Sequence, residues 1–227
     1  MACGLRWPHG HRHFSQTGSR QQTGQPTSTP CAPFTIDPVT RGDIPAPGRG
    51  GSLSPISGTA VRIKERAWTF FVSGKETAHR KVLPVLQVFT DKVSFVGPYG
   101  NGTKMKFAAN HLVAIYNVAY AESVTLARKM GLNPQDVLDL FGNSPVLGTG
   151  VMRLRMPMML ERQYSPPTMK VEVWQKDMQV IGDMAKSVDC PTPLFSTCAA
   201  IYTSAMAQGL ALEDTASTAE VMSALAG

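Results

Sequence analysis

Ten consecutive residues, Leu112 to Ala121, are apolar or small on nearly every side. They form the middle of a run from about Thr103 to Met130 that reads as one long helix, closed by Gly131 as a left-handed cap. A helix with that composition is buried on several sides. The rest of the ordered chain must therefore be packed around it. Asn133-Pro134 supplies an N-cap and a proline at the first helical position for the next helix, with Val137, Leu138 and Phe141 on its apolar face. Ser165-Pro166-Pro167 is expected to start another, running to about Ser187. Leu194 to Gln208, capped by Gly209, and a segment after Asp214 complete the helical part.

Upstream of the long helix the pattern changes. Trp68 to Val72 is a compact β-type run closed by Ser73-Gly74, and Val93 to Val96 is a second, ended by Gly97-Pro98. Between them Glu76 to Phe89 reads as a helix with Val82, Leu83, Leu86 and Phe89 on one side and Pro84 inside the pattern. Two strands make a poor sheet alone, so this part reads as the edge of a larger sheet. The expected fold class is mostly α: a remnant edge of a Rossmann-type α/β sheet, then a long interdomain helix and an all-α C-terminal domain. The expected divisions are 1–52, 53–98 and 99–227.

Residues 1–52 have another character. They hold eight Gly, seven Pro and five residues from Ile, Leu, Val and Met, and no Lys. Such a segment cannot bury enough apolar surface to offset its chain entropy, and disorder is expected. Its Arg/Gly/Pro-rich, Lys-free texture also fits translation in a shifted frame or from a misplaced start. His9, His11 and His13 alternate but lack partner ligands, and no metal is expected. The net charge of +6 is spread without a Lys/Arg run of five, which argues against a nucleic-acid partner. No apolar run spans a bilayer, so no membrane partner is expected. Cys3, Cys31, Cys190 and Cys198 include no CxxC pair, and each reads as a buried thiol in a reducing cytoplasm.

The chemistry-bearing residues lie between Gly97 and Asn110. Gly97, Gly100 and Gly102 let the backbone turn into a helix N-terminus. Lys106 and Asn110, four apart, project from one helix face. Among apolar neighbours a lysine is desolvated and its pKa falls toward the range useful for proton transfer. Spacing alone favours a solvated lysine near a helix start. The glycine spacing is not a dinucleotide fingerprint, and no GxGxxG occurs in the chain.

Three blocks together resemble the β-hydroxyacid dehydrogenases, the family that includes 3-hydroxyisobutyrate dehydrogenase. Gly97 to Asn110 is similar to the GxxGxGxxxKxxxN signature, with Ala109 where many members carry a first asparagine. Ser54-Pro55-Ile56-Ser57-Gly58-Thr59 resembles the D-x-P-V-S-G-G/T segment, without its leading acidic residue. Trp174-Gln175-Lys176-Asp177-Met178 is similar to L-x-K-D-L. As a bare sequence Lys176 reads as a solvated helix lysine.

The resemblance implies a reaction: oxidation of a small-molecule β-hydroxy acid to a semialdehyde or oxo acid with NAD or NADP. It implies Lys106 as the catalytic proton-transfer group, Asn110 as orienting the substrate, and Ser57, Gly58 and Thr59 as binding the carboxylate. Lys176 would lie on the cofactor side. It also implies pairing into a homo-oligomer through the C-terminal helices. The family begins with a Rossmann half of roughly 120 residues, which the 52 residues before the serine block do not resemble, so the chain is expected to be a truncated form that binds NAD(P) poorly. The competing expectation is a noncatalytic helical dimerisation module.

Overall fold

The computed structural model describes residues 52–59 and 65–227. The expectation of disorder before Leu53 falls outside the described residues, apart from Ser52, which is in a strand. His9, His11, His13, Cys3 and Cys31 also fall outside them.

The sheet is built on β3 (Thr69–Gly74). On one edge lie two short antiparallel pieces, β1 (Ser52–Leu53) and β2 (Ile56–Ser57). Ser52 pairs with Gly74, Leu53 with Ser73, Ile56 with Phe70 and Ser57 with Thr69, one register interrupted at Ser54-Pro55. Phe71 N–H donates to Pro55 O at 3.0 Å within that interruption. On the other edge β4 (Lys92–Phe95) runs parallel to β3. The helix α1 (Glu76–Phe89) makes the parallel crossover and carries Pro84 within it. Four strands thus replace the two that the sequence pattern shows. The antiparallel edge escapes periodicity because its pieces are two residues long and Pro55 has no N–H to give to a ladder.

The long helix α2 (Asn101–Lys129) packs against β3 and every later helix. Gly131 is left-handed, and Leu132 N–H closes back on Ala127 O at 3.0 Å, the bond that caps a helix by a Schellman turn. The helix is not enclosed, however. Met105, Leu112, Ala119 and Leu126, seven residues apart, lie exposed along one side, Leu112 at 47% and Leu126 at 58%.

α3 (Pro134–Phe141) begins as its sequence requires, with the Asn133 side chain accepting from Gln135 N–H. α4 (Gly150–Glu161), capped by Thr149, is a helix the sequence pattern does not disclose. Its apolar residues point all round and Pro157 lies within it.

α5 (Val171–Ser187) starts later than Ser165-Pro166-Pro167 would place it. The intervening segment is held instead by Asp214, whose carboxylate accepts from Thr168 N–H, Thr168 Oγ1 and Met169 N–H. α6 (Pro193–Ala207) ends at left-handed Gly209, and α7 (Thr218–Ala226) follows a single tight turn capped by Asp214.

Of the described cysteines, Cys198 is buried as expected, and Cys190 is exposed, contrary to its reading as a buried thiol. It follows the end of α5, in the link to α6, rather than on a helix face. Asn117 sits at the centre of the helical part, fully buried, donating to Thr215 O at 2.6 Å and Tyr202 OH at 3.0 Å.

Candidate active site

The three glycines before Lys106 do different work. Gly97 and Gly100 take φ of 87° and 92°, left-handed values that a Cβ would strain. Gly102 is inside α2, and a Cβ there would stand 2.3 Å from Phe71 O. Its role is close approach. The first turn of α2 lies directly on β3, and this sets the height at which Lys106 leaves the helix.

The serine block is fixed in a comparable way. Gly58 has φ of 141°, and a Cβ would meet Trp68 Cδ1 at 2.5 Å. The Trp68 indole N–H donates to Thr59 O at 2.8 Å. Ser57, Gly58 and Thr59 therefore form a turn clasped by Trp68 at the end of β2.

These two pieces meet. A cleft of 410 Å³ is lined by Ser57, Gly58, Thr59, Lys106 and Asn110, with Arg155 from α4 and Trp174 and Asp177 from α5. Five of the six site residues expected from sequence thus line one cavity. The sixth, Lys176, does not line it. Its side chain is 76% exposed beside the cleft, with Nζ 3.5 Å from Asp177 Oδ1. A larger apolar groove of 590 Å³, with His111 stacked on Phe195, brings together no comparable set of polar groups.

Asn110 is buried and donates from Nδ2 to Asp177 Oδ2 at 3.1 Å. Lys106 is half-buried, and burial lowers its pKa below the ordinary lysine value, while the nearby Asp177 carboxylate partly raises it again. Thr59 Oγ1 and Trp174 Nε1 are buried without a hydrogen-bond partner among the described residues. Arg155 is buried, with Nε 3.2 Å from Asp214 Oδ1.

The sequence reading overlooked Asp177, Trp174 and Arg155. Asp177 and Trp174 lie in the stretch Trp174 to Met178, and their spacing of three puts them on one face of α5, away from Lys176. Arg155 had no comparable signal, because it lies in the helix whose pattern is obscured.

Residues 100–222 match the family described as NAD-binding of NADP-dependent 3-hydroxyisobutyrate dehydrogenase. The chain belongs to this family. Among curated relatives, L-threonate dehydrogenase of Escherichia coli (strain K12) is 28% identical over 93% of this chain and 71% of its own. The L-threonate dehydrogenase of Haemophilus influenzae is 30% identical, over 75% of this chain and 56% of its own. The crystal structure of 3-hydroxyisobutyrate dehydrogenase from Salmonella typhimurium superposes with a TM-score of 0.69 at 26% identity, covering 76% of this chain and 60% of that one. Most of the first curated relatives are thus longer proteins, of which the match spans between 47% and 71%. The mostly helical fold with a small sheet is that of the family. Among the described residues, no helix is long and apolar enough to cross a membrane.

Proposed function

We propose that the cleft between the serine turn, α2, α4 and α5 binds a β-hydroxy acid and supports its NAD(P)-dependent oxidation to a semialdehyde or oxo acid. The observation that carries this reading is that Lys106, with its depressed pKa, shares a cavity with Asn110 and the Ser57–Thr59 turn. The turn offers the Ser57 hydroxyl and its backbone N–H groups to a carboxylate. Lys106, its pKa lowered by burial, accepts the proton of the substrate hydroxyl and returns it in the reverse direction. Asn110, held by Asp177, orients that hydroxyl.

When bound, the nicotinamide cofactor supplies the hydride acceptor. Lys176, exposed on α5 beside the cleft with Nζ 3.5 Å from Asp177 Oδ1, fits a place on the cofactor side. The glycine-rich loop that holds a pyrophosphate is absent from this sequence. The 227-residue chain is therefore expected to bind NAD(P)+ weakly, and tight binding in calorimetry would contradict this. For turnover, formation of reduced nicotinamide from 3-hydroxyisobutyrate and NAD(P)+ is the assay, and Lys106→Ala should abolish it. Unchanged turnover in that variant sinks the proton-transfer role.

A second reading, a helical dimerisation module, rests on the exposed stripe of Met105, Leu112, Ala119 and Leu126. Apolar residues every seven along a helix suit a second helix laid beside it. A homo-oligomer that buries this stripe is compatible with catalysis. Sedimentation of Leu112→Glu should show loss of association; an unchanged mass distribution removes the stripe as the interface. The cytoplasm is the proposed compartment, consistent with Cys190 and Cys198 being free thiols.

A further inference from the structure

A site for a carboxylate has to present donors and withhold acceptors. Each peptide unit of the serine turn brings both, an N–H that attracts an anion and a carbonyl oxygen that repels one. Which way the carbonyls face is therefore as much a part of the site as the Ser57 hydroxyl. The carbonyl of Thr59 is tied by a side chain: the Trp68 indole N–H donates to it at 2.8 Å. Ala67 and Thr69 line the cleft, whereas Trp68 between them does not. The bond thus turns the Thr59 oxygen toward a side chain that stands outside the lining.

Trp68 has a fixed base from which to do this. Thr90, fully buried at the end of α1, has its hydroxyl oxygen 2.6 Å from Trp68 O and 2.9 Å from Arg66 O. Arg66, at a left-handed φ of 51°, donates from Nη1 to Val88 O at 2.9 Å and from Nη2 to Gln87 O at 2.7 Å. Those carbonyls belong to the last turn of α1. The strap that carries the indole is therefore pinned to a helix end through both its backbone and a side chain. Gly58 completes the fit, because only a residue without Cβ lets the turn lie against the indole.

We propose that Trp68 is a positioning residue that makes the serine turn selective for a carboxylate, by holding the Thr59 carbonyl away from the ligand. This rests on the reading of the cleft as a β-hydroxy acid site and adds how that site chooses an anion. A phenylalanine at position 68 fills space against Gly58 but gives the carbonyl no donor. The freed carbonyl can then turn into the cleft, where it repels a carboxylate and accepts from the N–H₂ of an amide. An acid and its amide respond in opposite directions, which a simple packing defect does not produce.

The test is calorimetric binding of 3-hydroxyisobutyrate and of its neutral amide, 3-hydroxyisobutyramide, to the 227-residue chain without cofactor. The parent should prefer the acid. Trp68→Phe should weaken the acid by about tenfold, the scale of one hydrogen bond to a charged group, while the amide binds as well as before or better. Thermal melts identify a variant that has failed to fold. In that case Trp68→Leu, which removes the same donor, decides.

An acid-over-amide preference that survives in the folded variant overturns the role of Trp68 and leaves the β-hydroxy acid reading intact. Equal losses for acid and amide also overturn it, since they assign Trp68 to packing alone. A parent chain that binds neither ligand, or both alike, sinks the hydroxy acid reading and this role together.

Discussion

Asn110 Nδ2 donates to Asp177 Oδ2 at 3.1 Å, joining the face of α2 that carries Lys106 to α5 across 67 residues of sequence. The bond does two things. It fixes the asparagine amide beside Lys106, and it places the Asp177 carboxylate where its charge acts on the lysine. The candidate base is thus tuned by two opposed effects, burial lowering its pKa and Asp177 raising it, with burial the larger.

Removing the opposing charge should therefore move Lys106 further from its ordinary value. In Asp177→Asn the Lys106 titration is expected at lower pH than in the parent chain. NMR of the lysine side-chain carbons across a pH series reads this directly, without cofactor. A shift to higher pH would show that the carboxylate does not stabilise the ammonium.

Gly102 offers a second test, of position rather than charge. Gly102→Ala would place a Cβ 2.3 Å from the backbone oxygen of Phe71, and neither partner is a flexible side-chain end. The helix start must lift from β3. The expected destabilisation is about 1–3 kcal/mol, the usual range for overpacking. Because Lys106 is one turn further on, hydroxy acid affinity should fall as well. Denaturant unfolding and calorimetry together check both, and a variant with unchanged stability would show that the α2–β3 contact can adjust freely.

Much of the helical frame was legible because its signals are local. α1 occupies Glu76–Phe89 in both the pattern and the fold, Gly131 and Gly209 are left-handed where the pattern ends, and Asn133-Pro134 caps α3. The features that escaped depend on distant partners. β1 and β2 are strands only because β3 lies beside them. The start of α5 is set by an aspartate 46 residues past Thr168. α2 looked enclosed because nothing in its own composition separates the exposed Leu112 and Leu126 from the buried Ala114 and Val124. At the site, Lys106, Asn110 and the serine turn were found by resemblance, whereas Arg155 and its partner Asp214 come together only through tertiary structure.

That ion pair makes a strong stability prediction. Asp214 is fully buried, accepts hydrogen bonds from Thr168, Met169 and Ala216, and balances Arg155. Asp214→Asn leaves a buried guanidinium without its counter-charge and turns an amide N–H₂ toward N–H donors. A loss of about 3–5 kcal/mol is expected from breaking a buried pair on one side. The midpoint of urea unfolding measures it, and a change below about 1 kcal/mol would mean that Arg155 finds another anion or solvent.

Glu220 carries a pH prediction. Arg162 donates to it from Nε at 2.9 Å and from Nη2, and Tyr164 OH donates at 2.6 Å. The Arg162 hydrogen bond holds the Glu220 carboxyl below its ordinary value of 4.5, burial works against this, and the Tyr164 bond assists. With the folded value lower than the unfolded one, the unfolded chain takes up the proton first as pH falls. The contribution of Glu220 to stability is therefore fully present above the unfolded value and disappears as pH drops through the folded one. Arg162 is more than half exposed, so solvent screening keeps the effect modest. Glu220→Gln should have a lower melting temperature than the parent at neutral pH, and the gap should close as the solution is acidified below about pH 4.5. Melting curves over a pH series decide it, since a gap that stays constant with pH would assign the loss to packing rather than to the charge of Glu220.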